Sequence, residues 1–161
     1  MLRTAGDVGR RQSMTDEIQI ERALPGDLDA VLALLARHGL PPDGLCDHVA
    51  TMLVARRGGR VVGSAALEMY REGALLRSVA VDPGWQARGI GARLTDAAIA
   101  LGESLHAPAI YLLTTTADEY FPRHGFTRVD RDAVPDTVRA SVEFTSACPS
   151  TATVMRRALP N

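Results

Sequence analysis

The chain has 161 residues, of which 46% are hydrophobic and 23% are charged. This length predicts a single domain, and the composition excludes an intrinsically disordered, collagen-like or coiled-coil protein. Eighteen basic residues oppose 19 acidic ones, so the net charge of −1 offers no broad basic surface for nucleic acid or for a membrane. All 18 basic residues are arginine, which excludes a Schiff base and a P-loop lysine and which we attribute to coding bias.

Metal-binding and membrane-targeting patterns are absent from the sequence. Cys46 and Cys148 lack the CxxC spacing, and the four histidines form no HExxH pattern, so we expect no metal site. No apolar run is long enough to span a membrane and no signal peptide is recognisable, which predicts a cytoplasmic protein. Residues 1–14 are polar and aperiodic, and we expect a flexible leader there, followed by one domain at 15–161.

Hydrophobic periodicity and turn residues divide the first half of the chain into strands and one clear helix. Leu28, Val31 and Leu35 recur at helical spacing, and Gly39 followed by two prolines ends that helix. The predicted elements are a strand at 17–23, a helix from residue 28, a looser helical segment at 43–50, and strands at 52–55, 60–70 and 74–81.

The second half of the chain alternates helices with single strands. The predicted elements are a helix at 89–104, a strand at 109–113, a short helix at 117–124, a strand at 126–129, a helix at 135–144 and a final strand at 152–158. Antiparallel hairpins in the middle of the chain are thus followed by a crossover helix. This order is typical of a mixed α/β or α+β sheet domain.

A glycine-rich turn joins the strand that ends at Asp82 and Pro83 to the helix that follows. Gly89 and Gly91 leave room for an anion because they lack a Cβ, and the start of a helix adds partial positive charge. The turn lacks the first glycine of a GxGxxG dinucleotide motif and the GK[ST] of a nucleoside triphosphate site. We interpret it as a turn that could bind the phosphate of another ligand.

The motif Gln86-x-x-Gly89-x-Gly91 after this strand resembles the acetyl-CoA signature of the GNAT superfamily of N-acetyltransferases. Residues 109–113 resemble the fifth strand of that family, and residues 117–126 resemble its fourth-helix motif, so the resemblance covers roughly 17–129. It implies the GNAT fold, a mostly antiparallel sheet of six or seven strands flanked by helices and splayed between strands 4 and 5. It also implies direct transfer of the acetyl group of acetyl-CoA to an amine.

The same resemblance implies which residues contact acetyl-CoA. The backbone of the fourth strand would face the pantetheine and the thioester, and the glycine-rich turn would wrap the pyrophosphate, with two arginines as added cationic contacts. These cofactor-binding residues are Val79, Ala80, Val81, Gln86, Ala87, Arg88, Gly89, Ile90, Gly91, Ala92, Arg93 and Tyr120.

A departure from the family pattern concerns the tyrosine that often protonates the departing CoA thiolate. Phe121 occupies that position, four residues before Gly125, and Tyr120 precedes it. On a helix Tyr120 would point about 100° away. Tyr120 therefore either reaches the site after a local shift and acts as the acid, or water or another group supplies the proton. In a further alternative, Tyr120 only packs its ring and hydrogen-bonds its hydroxyl.

Two charged residues interrupt apolar strands and are candidates for the amine site. Glu68 is the best carboxylate to accept the proton of the amine; otherwise it lies on the solvent face of its strand or pairs with Arg77. Arg77 needs an anion, which could be Glu68 or a substrate carboxylate or phosphonate. The N–H of Val79 can polarise the thioester carbonyl. The predicted substrate-binding residues are Tyr70, Arg77, Ser78, Thr114 and Thr115.

The predicted activity is acetylation of the primary amine of a small, anionic, amino-acid-like molecule, with no nucleic-acid or membrane partner. Residues 67–70, 74–78, 112–117 and 144–151 resemble the arsenic-resistance-associated branch of the family, which implies detoxification of glutamate-analogue antibiotics. Two alternatives remain open, namely acetylation of protein or peptide amines and a non-catalytic acyl-CoA-binding sensor. A homodimer is compatible with the family.

Overall fold

The computed structural model describes residues 17–160, so the leader predicted at 1–14 lies outside the described residues. These residues form one sheet of seven strands with the order β1-β2-β3-β4-β5-β7-β6. The strands are β1 (Gln19–Arg22), β2 (Met52–Arg57), β3 (Arg60–Tyr70), β4 (Gly73–Val81), β5 (Ala109–Thr114), β6 (Thr127–Arg128) and β7 (Thr153–Ala158). Only the β4–β5 pair is parallel. The predicted mixed, mostly antiparallel sheet is confirmed.

Helices cover both faces of the sheet, which explains why the central strands carry apolar side chains on both faces. The helices are α1 (Leu28–Arg37), α2 (Ile90–Ser104) and α3 (Asp136–Arg139), joined by several short 3₁₀ turns. In β2, Met52 and Val54 pack with α1, whereas Leu53 and Ala55 pack with α2. This division follows from the alternation of side chains along a strand. No helix within residues 17–160 has the length and apolarity needed to cross a membrane.

Two predicted helices are wrong in extent. The helix expected at 117–124 is only a 3₁₀ turn at Phe121–His124, because Pro122 lacks an N–H and cannot continue an α-helix. The helix expected at 135–144 ends at Arg139 and is followed by a π-turn at Glu143–Ala147. There the Ser141 hydroxyl accepts the Glu143 N–H at 3.2 Å, in place of a helical carbonyl.

Gly63 marks the closest approach between the sheet and α2. A Cβ at this position would lie 2.9 Å from a methyl carbon of Leu94 and 3.2 Å from the Ala80 carbonyl oxygen. The first distance is shorter than real Cβ contacts, and the second is a tight contact with backbone, so the surrounding atoms must shift to admit a methyl group.

We predict that Gly63→Ala lowers the free energy of unfolding by about 1–3 kcal/mol, because overpacking forces the helix from the sheet. Urea-induced unfolding followed by circular dichroism measures the change. Gly26→Ala is the matched control, since a Cβ at Gly26 meets nothing within 4 Å and the variant should stay within about 0.5 kcal/mol. Equal stability of the two variants would contradict this packing.

Candidate functional site

A cleft opens where β4 and β5 separate. The two strands pair only from Ala74 with Ile110 to Leu76 with Leu112, although β4 continues to Val81 and β5 to Thr114. The resulting cleft has a volume of about 760 Å³. Of the predicted site residues it is lined by Arg77, Ser78, Val79, Ala80, Val81, Gln86, Ala87, Gly89, Ile90, Gly91, Ala92, Thr114 and Tyr120. The predicted residues outside its lining are Glu68, Tyr70, Arg88, Arg93 and Thr115.

A β-bulge in β4 directs backbone groups into this cleft. Ser78 and Val79 together face one residue of β3, Ala65, and Ser78 has a φ of 59°. The Ser64 hydroxyl donates to the Ser78 carbonyl at 2.7 Å, which holds that carbonyl on the β3 side. The Ser78 carbonyl and the Val79 N–H belong to one trans peptide and point in opposite directions. The Val79 N–H therefore points away from β3 to the cleft, where no β5 residue pairs with it.

The glycine-rich turn leads from β4 to the start of α2 at the far end of the cleft. The Asp82 carboxylate accepts the Gly84 N–H at 3.0 Å and an N–H of Arg37 at 2.7 Å, and these bonds lower the pKa of Asp82. Gly89, with a φ of 76°, precedes the helix without a side-chain cap. The first N–H groups of α2 therefore keep their capacity to bind an anion.

The two arginines predicted beside this turn lie in different places. Arg88 is exposed and stacks on Trp85 at 4.6 Å, on a ring that Arg57 also contacts at 4.4 Å. Trp85 lines the cleft, so this stack forms a cationic rim next to the turn. Arg93 instead donates to the carbonyl of Ile18 at 3.0 Å and holds the first strand against α2.

Tyr120 supplies a hydroxyl to the cleft, whereas Phe121 is a buried core residue that adds only an apolar ring to the cleft lining. Phe121 is buried and packs edge-to-face on Phe126 with ring centres 5.8 Å apart. A Cβ at Gly91 would lie 3.8 Å from the Tyr120 hydroxyl, so that hydroxyl faces the start of α2. Burial raises the pKa of Tyr120, although a hydrogen bond with Thr95 opposes this effect. Because the expected helix is replaced by a 3₁₀ turn at Phe121–His124, Tyr120 lines the cleft.

The threonines after β5 mainly shape the loop that follows. Thr114 lines the cleft, and its hydroxyl accepts the N–H groups of Thr116 at 3.3 Å and Ala117 at 2.9 Å. Thr114 thus caps the turn that carries Tyr120. Sequence patterns did not indicate His38, which lines the cleft and bonds the Val81 carbonyl through Nε2 at 2.8 Å.

The guanidinium of Arg77 is buried under the floor of the cleft and is engaged on all three nitrogens. Its side chain is 1% exposed. Nη1 lies 2.9 Å from Glu68 Oε2, and Nε lies 3.0 Å from Glu143 Oε1. Nη1 and Nη2 also donate to the carbonyls of Asp43 and Pro41 at 2.6 and 2.8 Å. Of the two anions predicted for Arg77, the structure supplies Glu68.

Glu68 is held in the same network and does not reach the cleft. Its carboxylate accepts hydrogen bonds from Tyr70, Ser141 and Arg77. Burial alone would raise the pKa of Glu68, but these three hydrogen bonds outweigh it and lower the pKa. A buried carboxylate with a lowered pKa is a poor proton acceptor. We therefore revise the expected positions of these two residues. Glu68 is the buried partner of Arg77, Tyr70 donates a hydrogen bond to Glu68, and neither residue lines the cleft.

Glu143 differs from Glu68 in its electrostatic state. Burial raises the pKa of Glu143, although the Cys148 thiol donates to its carboxylate at 2.6 Å. Burial and this carboxylate raise the pKa of Cys148 to about 12, which keeps the thiol protonated and unreactive. Among residues 17–160, no group of three or more His, Cys, Asp or Glu side chains could hold a metal ion.

Residues 48–128, half of the chain, match the family model described as an acetyltransferase (GNAT) domain. An amino-acid acetyltransferase of Mycobacterium tuberculosis is 36% identical over 73 residues, which are 45% of this chain and 41% of that protein. An amino-acid acetyltransferase of Neisseria meningitidis serogroup A is 26% identical over 145 residues, 84% of this chain and 33% of that protein. The chain thus spans between a third and about two-fifths of the length of these curated relatives.

Solved structures share the fold. The N-acetylglutamate synthase of Neisseria gonorrhoeae, complexed with coenzyme A and N-acetyl-glutamate, superposes with a TM-score of 0.77 at 24% identity, over 90% of this chain and 36% of that chain. Rv2747 of Mycobacterium tuberculosis, in complex with CoA and NLQ, gives a TM-score of 0.75 at 26% identity, over 88% of this chain and 99% of that chain.

The two carboxylates around Arg77 give a matched pair of substitutions. We predict that Glu68→Gln lowers the free energy of unfolding by about 3–5 kcal/mol, because it leaves a buried guanidinium without its ionised partner. Glu143→Gln should cost less, about 1 kcal/mol, since burial raises the pKa of Glu143 whereas the pKa of Glu68 is lowered, so Glu143 is the weaker charged partner of Arg77.

Urea-induced unfolding of both variants measures the difference. Near-equal losses of stability would show that the charge on Arg77 is shared evenly, and would contradict the assignment of Glu68 as its main counter-ion.

Proposed function

This chain belongs to the GNAT acetyltransferase family, and from that premise we propose that it transfers the acetyl group of acetyl-CoA to the amine of an amino acid or a close analogue. The observation that carries the proposal is the cleft itself. It begins at unpaired backbone of β4 and ends at the uncapped start of α2, which suits an extended ligand with an anionic end.

Each part of acetyl-CoA has a counterpart along the cleft. The pantetheine lies beside Val79–Val81 as an added strand, and the pyrophosphate accepts the N–H groups at the start of α2. The Arg57–Trp85–Arg88 stack lies on the rim next to that turn. No lysine is involved, because every cation near the phosphates is a guanidinium.

The chemistry follows from the groups at the head of the cleft. The Val79 N–H donates to the thioester carbonyl and stabilises the negative charge that develops on its oxygen when the amine attacks. The C–S bond then breaks and the CoA thiolate leaves. Tyr120 is the acid that protonates this sulfur, and its raised pKa keeps the hydroxyl protonated at neutral pH.

The amino-acid acceptor is supported by the two curated amino-acid acetyltransferases described above. We retain an anionic acceptor such as glutamate or a phosphinate analogue of it, as the sequence predicts. Its acidic group would be recognised outside the Arg77 network, because that guanidinium is engaged by Glu68 and Glu143. Arg77 then acts by holding Ser78, next to the bulge, through a bond of 3.2 Å to its hydroxyl.

Thiol release from acetyl-CoA tests this function directly. Purified chain is incubated with acetyl-CoA and a panel of the common L-amino acids, the phosphinate analogue of L-glutamate, and a short peptide with a free N-terminus. We expect release that depends on a free amino acid and gives its N-acetyl product by mass spectrometry. Release with the peptide alone would indicate a protein acetyltransferase, and binding of acetyl-CoA without release on any amine would indicate a sensor.

Gly91 provides a test of the cofactor position that separates binding from folding. A Cβ there meets only ordinary contacts, at 3.7 Å from Val81 and 3.8 Å from the Tyr120 hydroxyl, but it projects into the cleft. We predict that Gly91→Ala weakens CoA binding about tenfold, equal to about 1.4 kcal/mol. Its unfolding temperature should not fall, because alanine is favoured over glycine in a helix.

Isothermal titration calorimetry with CoA and a thermal melt measure the two effects, with Gly26→Ala as the control. Unchanged affinity in Gly91→Ala would exclude the start of α2 as the phosphate site.

A further inference from the structure

A line of hydrogen-bonded side chains runs from the cleft to the protein surface behind Tyr120. The Tyr120 hydroxyl lies 3.1 Å from Nε2 of His124, and Nδ1 of His124 lies 2.9 Å from a carboxylate oxygen of Asp96. The three groups differ in exposure. The His124 side chain is 7% exposed and Asp96 is 69% exposed, so the imidazole is the enclosed link between a cleft hydroxyl and a solvated carboxylate.

Local structure holds this imidazole from several sides. The 3₁₀ turn at Phe121–His124 brings residues 120 and 124 together, with ring centres 5.2 Å apart. Asp96 approaches from α2. Arg157 of β7 donates to the His124 carbonyl, and Arg123 stacks on the Tyr120 ring at 5.2 Å. The titratable and charged groups around His124 are therefore Asp96, Tyr120, Arg123 and Arg157.

We propose that Tyr120, His124 and Asp96 form a proton relay that serves the departing CoA thiolate, an inference that rests on the proposed function. Tyr120 is the catalytic acid, because its hydroxyl lies in the cleft. His124 acts through Tyr120, and Asp96 acts through His124, so both are positioning residues.

Each proton that moves in the relay has a donor and an acceptor. The Tyr120 O–H bond breaks as the proton moves to the thiolate sulfur, which becomes the thiol of CoA. The phenolate oxygen takes the Nε2 proton of the His124 imidazolium, while Nδ1–H stays bonded to the Asp96 carboxylate. The amine nitrogen sheds a proton to water in the cleft when the amide forms. The Tyr120 hydroxyl passes a proton from that water back to Nε2 of His124, because Nδ1 stays bonded to Asp96.

The relay also explains how the chain tolerates Phe121 at the family's tyrosine position. Phe121 has no hydroxyl and cannot act as an acid, whereas its neighbour in the chain, Tyr120, has one. Tyr120 reaches the cleft there, and the His124 bond fixes the direction of its hydroxyl.

A double-mutant cycle separates the relay from mere packing. Tyr120→Phe should lower kcat about 100-fold, with KM for acetyl-CoA changed less than about twofold. His124→Gln keeps a hydrogen-bond donor to Tyr120 but has no proton to give, and should lower kcat about tenfold. The double variant should be no slower than Tyr120→Phe, because both changes interrupt one path. His106→Gln, at an exposed histidine, is the matched control and should retain wild-type kcat.

A second measurement needs no turnover. The thiolate of bound CoA absorbs in the ultraviolet, so a pH titration gives the pKa of the bound thiol. Tyr120→Phe should raise that pKa relative to the unmodified protein, since the thiolate loses a hydrogen-bond donor, and His124→Gln should raise it by a smaller amount. Asp96→Asn should change it in the same direction as His124→Gln.

The outcomes separate the relay from the proposed function. Multiplicative losses of kcat in the double variant, or a thiol pKa that none of the substitutions moves, would overturn the relay and leave the acetyltransferase intact. If the protein binds CoA but shows no turnover, the thiol titration alone decides the relay: a raised thiol pKa in the Tyr120 and His124 variants supports it, and an unchanged pKa overturns it. A chain that binds no CoA would overturn both proposals together.

Discussion

The buried ion pairs of Arg77 are the constraint on which the site depends. A guanidinium in the centre of a sheet is costly unless it is neutralised, and here Glu68 lies on the adjacent strand and Glu143 on the C-terminal π-turn. These bonds connect β3, β4, the 41–43 loop and the segment at 141–148 at one point. That point is where β4 and β5 stop pairing, so the network forms a firm floor for the open end of the sheet.

The cleft above this floor combines three features that have independent local causes. The bulge at Ser78 turns the Val79 N–H toward the open side of β4. The turn held by Asp82 ends in a helix start without a side-chain cap. The proline-limited 3₁₀ turn presents Tyr120. Because all three face the same gap between strands, a thioester, its phosphates and an acid can be aligned on one extended ligand.

Much of this arrangement could be predicted from the sequence. The strand periods predicted the sheet, and the Gln86-to-Gly91 motif carried the resemblance to the GNAT family, which in turn implied the splay. The family match and the strand pairing confirm these expectations. Of the two carboxylates that contact Arg77, only Glu68 could be predicted. Glu68 lies on the neighbouring strand of a hairpin, whereas Glu143 reaches Arg77 only through the tertiary packing of a π-turn that periodicity does not reveal. The position of Tyr120 depended on Pro122, whose effect on the turn outweighed a helical pattern.

The central claim is that acetyl-CoA occupies the gap between β4 and β5, with its phosphates at the start of α2. Backbone amide signals in two-dimensional ¹H–¹⁵N NMR spectra, recorded while CoA is added to the whole chain, test it most directly. The account predicts that the amides of Val79, Val81, Gly89 and Gly91 shift together with one dissociation constant, while those of β1 at the far edge of the sheet stay in place. Shifts absent from these four amides, or centred on another surface, would contradict it.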